Sequence, residues 1–236
     1  MKQVVFIADD FGLTEAANRA ILRAHREGAL TGASLMLGQP GTAGAVALAQ
    51  ANPTLQIGWH LHLCDSTPTT CGRWPWGNAP FAAGCRLGAS DANRETLRPE
   101  IAQQWRLFQA TGLRCAFVNA HHHLHVHPAV LRELDRVLPP DFAGWLRGFN
   151  VQLLGGWPAR DALLAKLAAP FARRWLSRTR FRLSDTLWGL DRLFRMDAGE
   201  IRRAAGALPS GRHEFVFHPR AEQGDADFAT LLRLRP

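Results

Sequence analysis

The sequence lacks the features of several protein classes. No apolar run is long enough to cross a membrane, and the basic, apolar start of a secretory signal peptide is missing, since Met1 leads almost directly into a short apolar strand. The four cysteines include no Cys-x-x-Cys pair, which favours reduced thiols over a disulfide framework. We therefore expect a cytoplasmic protein without disulfide bonds.

The composition is that of a globular protein. The chain has 236 residues, of which 47% are hydrophobic, enough for a sizeable core and too many for intrinsic disorder. We predict a single domain over residues 1–236. The net charge of +8 lies mainly in residues 119–236, which contain 18 basic and 12 acidic side chains, so an anionic partner is to be sought there.

The densest basic segment is residues 171–182, where five arginines are interspersed with aromatic and aliphatic side chains. This pattern is typical of contact with an anionic membrane surface or with nucleic acid. It also fits a solvated helix end in an arginine-rich protein. No nucleic-acid-binding motif accompanies the segment, so we expect no nucleic-acid partner and take peripheral contact with the inner membrane as a hypothesis.

Histidines are concentrated in residues 119–128, which read Asn-Ala-His-His-His-Leu-His-Val-His-Pro. An apolar run precedes this stretch and a helix-starting proline ends it, so it joins a strand to a helix. Alternate residues of a strand share a face, and we expect His121, His123 and His125 to point one way and His122 the other. Crowded imidazoles here suggest a metal or proton-transfer site, and a solvated His-rich turn is the alternative.

A second candidate group is Asp9-Asp10, which follows a β-branched, apolar strand over residues 4–8. Thr14 is predicted to cap the next helix, which runs to about residue 27. Adjacent carboxylates at a strand end are costly unless a cation or a proton satisfies them. The pair therefore indicates a functional site, unless it is a turn in which one aspartate caps the helix.

A third signal is the strand predicted over residues 55–63, where His60 and His62 share one face. A lone strand histidine is usually a satisfied core residue, but two beside the other groups favour a ligand role. Residues 65–92 follow as a long irregular loop rich in tryptophan, glycine and proline. Trp74 in this loop could stack on a sugar, or it could fix the loop to the body of the protein.

The rest of the chain alternates between strands and helices and contains no repeat of 20–50 residues. Strands are predicted over residues 33–37, 115–118, 143–149, 181–190 and 214–217, and helices over residues 42–51, 98–111, 128–138, 160–176, 198–207 and 225–235. This alternation predicts an α/β fold with a parallel sheet.

Candidate residues from four predicted strands fall at or near the strand ends: Asp9, Asp10, His60, His121 and His218. In a parallel α/β barrel these ends meet on one face, where catalytic residues gather. One aspartate and two histidines would hold a divalent metal with open positions, which leaves a second carboxylate and a further histidine for proton transfer. These are the parts needed to hydrolyse an amide or an ester.

The combined motifs resemble those of the YdjC/ChbG-type carbohydrate deacetylases. The matching segments are Ala-Asp-Asp-Phe-Gly-Leu at residues 8–13, Gly-Trp-His-Leu-His-Leu at 58–63, His-His-His-Leu-His at 121–125 and Phe-His-Pro at 217–219. The resemblance implies a deformed, TIM-barrel-like (β/α) barrel. It also implies a hydrolase that uses one divalent cation, Mg²⁺ or Zn²⁺, to remove the acetyl group from N-acetylated amino sugars.

Carried over position by position, the resemblance implies that Asp9 is the general base and His218 the general acid. It implies that Asp10, His60 and His121 are the metal ligands. Substrate contacts are expected from a separate set: His123, His125, Asp185, Trp74 and Arg147.

Three segments are similar to those of the hopanoid biosynthesis-associated, HpnK-like members: residues 118–131, 184–190 and 214–219. The substrate implied by this branch is the N-acetylglucosaminyl head of a hopanoid lipid, which would suit the basic, aromatic segment 171–182. Two alternatives stay open at this point. One is a deacetylase of soluble chitooligosaccharides, and the other is a non-catalytic accessory protein that binds metal or lipid. The oligomeric state cannot be inferred from these patterns.

Overall fold

The computed structural model describes residues 1–155 and 160–235. The strands in these ranges are β1 Lys2–Phe11, β2 Gly32–Leu35, β3 Gln56–Leu61, β4 Phe117–Ala120, β5 Trp145–Leu146, β6 Val151–Gln152, β7 Arg182–Leu183, β8 Thr186–Trp188 and β9 Gly211–Phe217. The helices in the same ranges are α1 Glu15–Glu27, α2 Thr42–Gln50, α3 Pro80–Arg86, α4 Asp91–Ala110, α5 Pro128–Val137, α6 Arg160–Leu176, α7 Ala198–Gly206 and α8 Ala226–Arg233. Two 3₁₀ turns cover His121–Val126 and Leu190–Arg192.

The strands of the described ranges form a single parallel sheet in the order β6-β8-β9-β1-β2-β3-β4-β5-β7. The sheet curls into a half-barrel with helices packed on it, so the predicted α/β deformed-barrel fold is confirmed. The single-domain organisation stays a prediction. Because every strand pair is parallel, all carboxyl ends face one edge, and the candidate residues gather at that edge.

The first strand occupies the centre of the sheet. It pairs with β9 over seven residues, from Lys2 opposite Gly211 to Ala8 opposite Phe217, and with β2 on its other side. Strands covered on both sides read as continuous apolar runs, which explains why this one was visible in the sequence. The helix after it begins where predicted, because the Thr14 side chain accepts a hydrogen bond from the Ala17 N–H at 3.2 Å.

Three predictions about local structure are wrong. Residues 65–92 are not wholly irregular, because they contain α3 and the first residues of α4. The segment predicted as one strand over residues 181–190 forms two short strands, β7 and β8, on opposite sides of the sheet. The strand predicted over residues 143–149 shortens to β5, and β6 was not predicted.

Candidate active site and metal centre

The carboxyl ends of β1, β3, β4 and β9 bring the predicted catalytic and metal-binding residues together. Asp9 and Asp10 lie near the end of β1, His60 near the end of β3, His121 directly after β4 and His218 directly after β9. The gathering follows from the strand order, because these strands neighbour one another or are separated only by β2.

Asp10 is the centre of one half of this site. Its Oδ1 lies 3.3 Å from His60 Nε2 and 3.0 Å from His121 Nδ1. Burial alone would raise the pKa of Asp10, but the neighbouring imidazoles of His121 and His60 hold it well below its usual value. The three atoms thus form a compact set in which one carboxylate oxygen faces two ring nitrogens.

The tautomer of His60 follows from its other contact. His60 Nδ1 lies 2.6 Å from Asn119 Oδ1, and an amide oxygen can only accept, so Nδ1 carries the proton. In the neutral imidazole this leaves the Nε2 lone pair directed at Asp10. A donor on the far ring nitrogen is the usual arrangement behind a metal-ligating histidine.

The three residues fit a divalent cation. Among the described residues, Asp10 Oδ1 and His60 Nε2 are buried and have no hydrogen-bond partner, which is costly for polar atoms. All three potential ligand atoms lie within 4.8 Å of one another. Neighbouring ligands of one ion with bonds of about 2.1 Å are separated by roughly 3–3.4 Å, and the observed separations from Asp10 match this. The chemistry of the donor set therefore fits a metal.

The backbone around Asp10 is strained in a way that the surrounding structure must support. Asp10 has φ 65°, in the left-handed region that few non-glycine residues adopt. Gly12 follows with φ 94°, and its N–H donates to Asn18 Oδ1 at 2.8 Å. Asn18 in turn donates to the Gly41 carbonyl at 2.8 Å, which ties the turn to a second loop. Such strain is typical of functional sites.

The histidine stretch does not continue β4 as an extended strand. His122 and His123 have φ values of 52° and 58°, and the chain turns into a 3₁₀ segment immediately after Ala120. The prediction that His121, His123 and His125 share one strand face is therefore wrong. The turn instead directs His121 towards Asp10 and places His122 3.2 Å from Asp65.

Asp9 is the centre of the other half of the site. Both of its oxygens are bound by Arg147, with Nη1–Oδ2 at 2.6 Å and Nη2–Oδ1 at 2.8 Å. Ser34 Oγ donates at 2.7 Å and Asn119 Nδ2 at 3.0 Å to the same Oδ1. Burial would raise the pKa of Asp9, but the Arg147 charge outweighs it and lowers the pKa far below the usual value.

Arg147 binds carboxylates within the protein, and the substrate contact predicted for it stays a prediction. Its side chain is 0% exposed and also donates to Glu214 Oε1 at 2.6 Å, so it lies between two buried carboxylates. Burial would lower its pKa, but the charges of Asp9 and Glu214 raise it. The guanidinium therefore balances the charge of Asp9 and holds its carboxylate in place.

His218 faces Asp9 from the end of β9. Its Nε2 lies 3.9 Å from Asp9 Oδ2, beyond hydrogen-bond distance. Its backbone N–H donates to Asp227 Oδ2 at 2.8 Å, which fixes the turn after the strand. Phe194, which has φ 60°, lies edge-on to the imidazole with 5.5 Å between ring centroids. An imidazole and a carboxylate thus lie close together without a hydrogen bond between them.

His123 and His125 are held as neutral imidazoles. Burial and the Arg147 charge lower the pKa of His125 to about 3, and its Nε2 lies 3.0 Å from the Arg147 carbonyl, to which it donates. Burial, with the same charge, lowers the pKa of His123 well below its usual value. His123 also packs against Phe149, with centroids 5.6 Å apart. Their contact with substrate stays a prediction.

Trp74, His62 and Asp185 each contact other parts of the protein. Trp74 is 6% exposed, stacks on Trp76 and donates to the Ser66 carbonyl at 2.8 Å, so it fixes the loop. His62 contacts the carbonyl of Leu37 at 2.8 Å, and burial lowers its pKa to about 4.

The substrate contact predicted for Asp185 stays a prediction, and in the structure this carboxylate has a partner within the protein. Asp185 Oδ2 accepts from the Arg212 N–H at 2.7 Å, next to the first residue of β9. This is the amino edge of the sheet, opposite the gathered site. The sequence predicted a strand that carries Asp185, but it did not indicate at which edge of the sheet this residue would lie.

Sequence reasoning missed three supporting residues: Ser34, Asn119 and Glu214. Ser34 and Asn119 lie in β2 and β4, the two strands that pair with β3, so they lie beside the strand that carries His60. Glu214 had a usable signal, because an acidic residue in an otherwise apolar strand must find a buried partner.

Comparison with known proteins adds a family and relatives to this geometry. The family model described as YdjC-like protein matches residues 3–232. A carbohydrate deacetylase of Vibrio campbellii is 35% identical over 137 residues, covering 57% of this chain and 55% of its own. One of Brevibacillus brevis is 37% identical over 131 residues, covering 55% and 52%. The chain thus spans about half the length of the curated relatives it matches.

Two solved structures share the fold. A putative cellobiose-phosphate cleavage protein from Enterococcus faecalis has a TM-score of 0.64 at 18% identity, covering 99% of this chain and 90% of its own. A lactam utilization protein from Thermus thermophilus has a TM-score of 0.51 at 16% identity, covering 98% and 95%. At these identities the likeness extends to the fold alone.

Proposed function

Because the chain belongs to the YdjC-like protein family, we propose that it is a metal-dependent carbohydrate deacetylase that hydrolyses the acetamido group of an amino sugar. The observation that carries the proposal is the pair of carboxylates at the end of β1. Asp9 is held ionised by Arg147, whereas Asp10 faces His60 and His121. A proton acceptor beside a set of cation ligands is what amide hydrolysis requires.

Asp9 is the general base in this proposal. Its depressed pKa keeps the carboxylate ionised throughout the physiological range, so it is always able to accept a proton. It would orient a water molecule and take a proton from it as the water oxygen bonds to the acetyl carbonyl carbon. The hydrogen bonds from Arg147, Ser34 and Asn119 fix the carboxylate in advance, so no reorganisation is needed during the reaction.

His218 is the general acid. The 3.9 Å between its Nε2 and Asp9 Oδ2 leaves donor and acceptor facing one space without bonding to each other. When the carbon–nitrogen bond breaks, His218 would give a proton to the leaving nitrogen, and the products would be acetate and a free amine. Asp227 contributes by fixing the His218 backbone.

Asp10, His60 and His121 would hold one divalent cation, Mg²⁺ or Zn²⁺. Bound there, the ion would act as a Lewis acid that polarises the acetyl carbonyl and makes water more acidic. Two imidazoles and one carboxylate suit zinc by ligand type. Asn119 would contribute by keeping the His60 lone pair directed at the ion.

The deciding measurement is acetate release by the purified protein from an N-acetylated amino-sugar substrate, with and without a chelator. We expect release that stops with the chelator and returns when Mg²⁺ or Zn²⁺ is added. Metal content measured on the same samples separates loss of metal from loss of fold. Acetate release at the same rate with and without the chelator would refute the metal-dependent mechanism. No acetate release from any sugar tested, with metal bound to the protein, would favour a non-catalytic accessory protein.

We further propose that the sugar is lipid-linked, with the N-acetylglucosaminyl head of a hopanoid as the substrate. Support comes from one face of α6, defined by Leu163, Leu167, Phe171 and Trp175, which are 46–73% exposed. Their spacing of four residues places them on one side of the helix, where large exposed apolar side chains are unusual. The same helix packs against both 3₁₀ turns, His121–Val126 and Leu190–Arg192, so α6 is a neighbour of the turn that carries His121.

The basic segment 171–182 adds charge to this surface. Arg173 and Arg174 are exposed in the last turn of α6, beside the apolar face. Arg180 is already engaged with Asp135 at 2.7 Å, so it is not part of the proposed contact. No helix in residues 1–155 or 160–235 is long and apolar enough to cross a membrane. The proposed contact is therefore peripheral, with apolar side chains in the interface and arginines on anionic head groups.

Flotation with anionic phosphatidylglycerol vesicles tests the contact. Each basic residue near such a surface contributes about 1 kcal/mol, so Arg173→Gln with Arg174→Gln should weaken binding by about thirtyfold. The matched control is Arg106→Gln with Arg114→Gln, which removes two exposed arginines from another region. Equal retention of both double variants, or no retention of the wild type, would remove the membrane proposal.

Substrate choice separates the two sugar hypotheses. Acetate release from an N-acetylglucosaminyl hopanoid, and little from chitobiose, would support the lipid-linked assignment. Release from chitobiose alone would keep the deacetylase mechanism and replace the substrate with a soluble chitooligosaccharide.

A further inference from the structure

A second set of metal-binding groups lies outside the proposed catalytic set and shares one residue with it. Asp65 Oδ2 lies 3.2 Å from His122 Nε2 and 3.9 Å from His121 Nε2, and the three potential ligand atoms lie within 4.8 Å of one another. We name Asp10, His60 and His121 the inner site, and Asp65, His121 and His122 the outer site. His121 offers Nδ1 to the inner site and Nε2 to the outer one.

We propose that the outer site binds a zinc ion, and that this ion competes with the inner ion for His121. Two imidazoles and one carboxylate are a donor set that zinc prefers. Ligand atoms of a tetrahedral ion with bonds of about 2.1 Å are separated by roughly 3.4 Å, close to the two distances measured from Asp65. The side chains of Asp65 and His122 are 59% and 33% exposed, so an ion can reach them from solvent.

The outer site is built into strained, fixed backbone. Asp65 has φ 49° and His122 has φ 52°, conformations that non-glycine residues adopt only where the surroundings enforce them. The Asp65 N–H donates to the Asn78 carbonyl at 3.1 Å, and Trp74 fixes the adjacent Ser66 carbonyl. These contacts hold the Asp65 backbone at the site before any ion arrives.

The same loop is also clamped further along. Glu100 of α4 is 0% exposed and accepts hydrogen bonds from the backbone N–H groups of Thr69 and Thr70 at 2.9 and 2.8 Å, respectively. It also accepts from both threonine hydroxyls. A carboxylate committed in this way fixes the loop relative to α4, which limits how far Asp65 can move from the histidines.

Competition follows from the chemistry of imidazole. A neutral imidazole carries one lone pair, so His121 can serve one ion at a time. An ion at the outer site would draw the lone pair to Nε2 and leave the inner ion with Asp10 and His60. If the protein is the deacetylase proposed above, excess zinc should inhibit it. This consequence rests on the proposed function, whereas zinc binding at the outer site does not.

Zinc binding is tested with the inner site disabled. Asp10→Asn removes the inner carboxylate and keeps all three outer ligands, and Asn suits a left-handed backbone. We expect this variant to bind one zinc ion by calorimetry. Adding Asp65→Asn or His122→Gln should weaken that binding at least about tenfold, whereas adding Asp141→Asn, an exposed aspartate elsewhere, should not. If Asp10→Asn does not fold, His60→Gln serves the same purpose.

Inhibition is tested in the chain with an intact inner site. We expect the His122→Gln variant to be less sensitive to zinc. The zinc concentration that halves its rate of acetate release should be at least about tenfold higher than for the wild type. The proposal is overturned if the inner-site variants bind no zinc at millimolar concentration, or if Asp65→Asn and Asp141→Asn affect binding equally. It is also overturned if wild type and His122→Gln are inhibited alike. Zinc binding to the Asp10→Asn variant, without acetate release by the wild type, would instead remove the proposed function alone.

Discussion

Asp9 and Asp10 are consecutive carboxylates at the end of one strand, yet their surroundings are opposite. Asp9 is 2% exposed and receives four hydrogen bonds, two of them from Arg147. Asp10 Oδ1 meets only the ring nitrogens of His60 and His121 and, among the described residues, has no hydrogen-bond donor. One carboxylate is neutralised by a cation built into the chain. The other is arranged for a cation that can come and go.

The difference shows how a protein gives two identical groups separate tasks. Asp10 departs from the extended strand conformation of Asp9, because its φ of 65° lies in the left-handed region. Each group then meets partners from a different part of the sheet, because Arg147 follows β5 whereas His60 lies in β3. Position in the chain is shared, but the electrostatic environment is not.

Removing the built-in cation should have the largest effect on this comparison. Arg147→Met would leave Asp9 and Glu214 buried without their counter-charge, which typically costs about 3–5 kcal/mol of unfolding free energy. Urea denaturation measures the loss. The matched control is Arg94→Met, which breaks an exposed pair with Asp91 and should cost less than about 1 kcal/mol. Equal losses in the two variants would mean that the buried cation does not support Asp9.

Neutralising the first carboxylate should separate chemistry from metal binding. Asp9→Asn removes the proposed base but keeps Asp10, His60 and His121, and Glu214 still pairs with Arg147. We expect kcat for acetate release to fall by about 10²–10⁴ while metal content is unchanged. Near-normal turnover would exclude Asp9 as the base. Loss of the metal as well would show that the two halves of the site are not independent.

Asn119 connects the two halves, because its Nδ2 donates to Asp9 and its Oδ1 accepts from His60. Asn119→Ala removes both contacts and leaves Ser34 Oγ, 3.2 Å away, as the remaining partner of His60 Nδ1. We expect metal affinity to fall by about 10–100-fold, the usual cost of losing a partner behind a ligand. Competition with a chromogenic chelator measures the affinity. Unchanged affinity would mean that Ser34 and the strands fix the ring without Asn119.

In the metal-free protein, a proton on His60 should stabilise the folded state beside Asp9 and Asp10. Burial would lower the pKa of His60, but the charges of Asp9 and Asp10 raise it. A raised pKa in the folded state stabilises the protein below the unfolded value of about 6.5, and this contribution disappears as pH rises through the folded value. With chelator present, unfolding free energy should therefore fall above about pH 6.5, by roughly 1.4 kcal/mol per unit of the shift.

The measurement is chemical unfolding at several pH values with chelator, compared with His60→Gln, in which this dependence should be absent. Bound metal replaces the proton, so the metal-loaded wild type should not lose stability over the same interval. An identical pH profile in the wild type and His60→Gln would show that this imidazole does not hold the proton.

The smallest effect is expected at a carboxylate far from the pair. Asp185→Ala removes the acceptor for the Arg212 N–H at the amino edge of the sheet. We expect a cost of about 1 kcal/mol in stability and a kcat within about twofold of the wild type. A large loss of turnover with normal stability would support the substrate contact that the sequence predicted.

The central strands, and the gathering of the candidate residues at their carboxyl ends, could be predicted because the signals are local. The first strand is a continuous apolar run, and Thr14 caps the helix that follows it. His60 and His121 follow apolar strands whose ends must meet if the sheet is parallel. The bounds of α6 were also predicted correctly from its periodicity alone.

The supporting contacts could not be predicted, because their partners are distant in sequence. Arg147 is separated from Asp9 by 138 residues and from Glu214 by 67, so the sequence does not show which carboxylates it binds. The 3₁₀ turn at His121–Val126 depends on left-handed residues that no pattern of alternation indicates. By contrast, α3 was missed although it had a local signal, since Pro80 occupies its first turn.

The pairing of β1 with β9 has a consequence for how the chain is made. Residues 2–8 are synthesised well before their partner strand, residues 211–217, which is the last strand of the described sheet to be made. At about 5–20 residues per second, the central strand waits of the order of ten seconds or more for that neighbour. Until then Arg147 lacks Glu214 and one side of β1 is unpaired, so the nascent protein has a period in which a chaperone could recognise it.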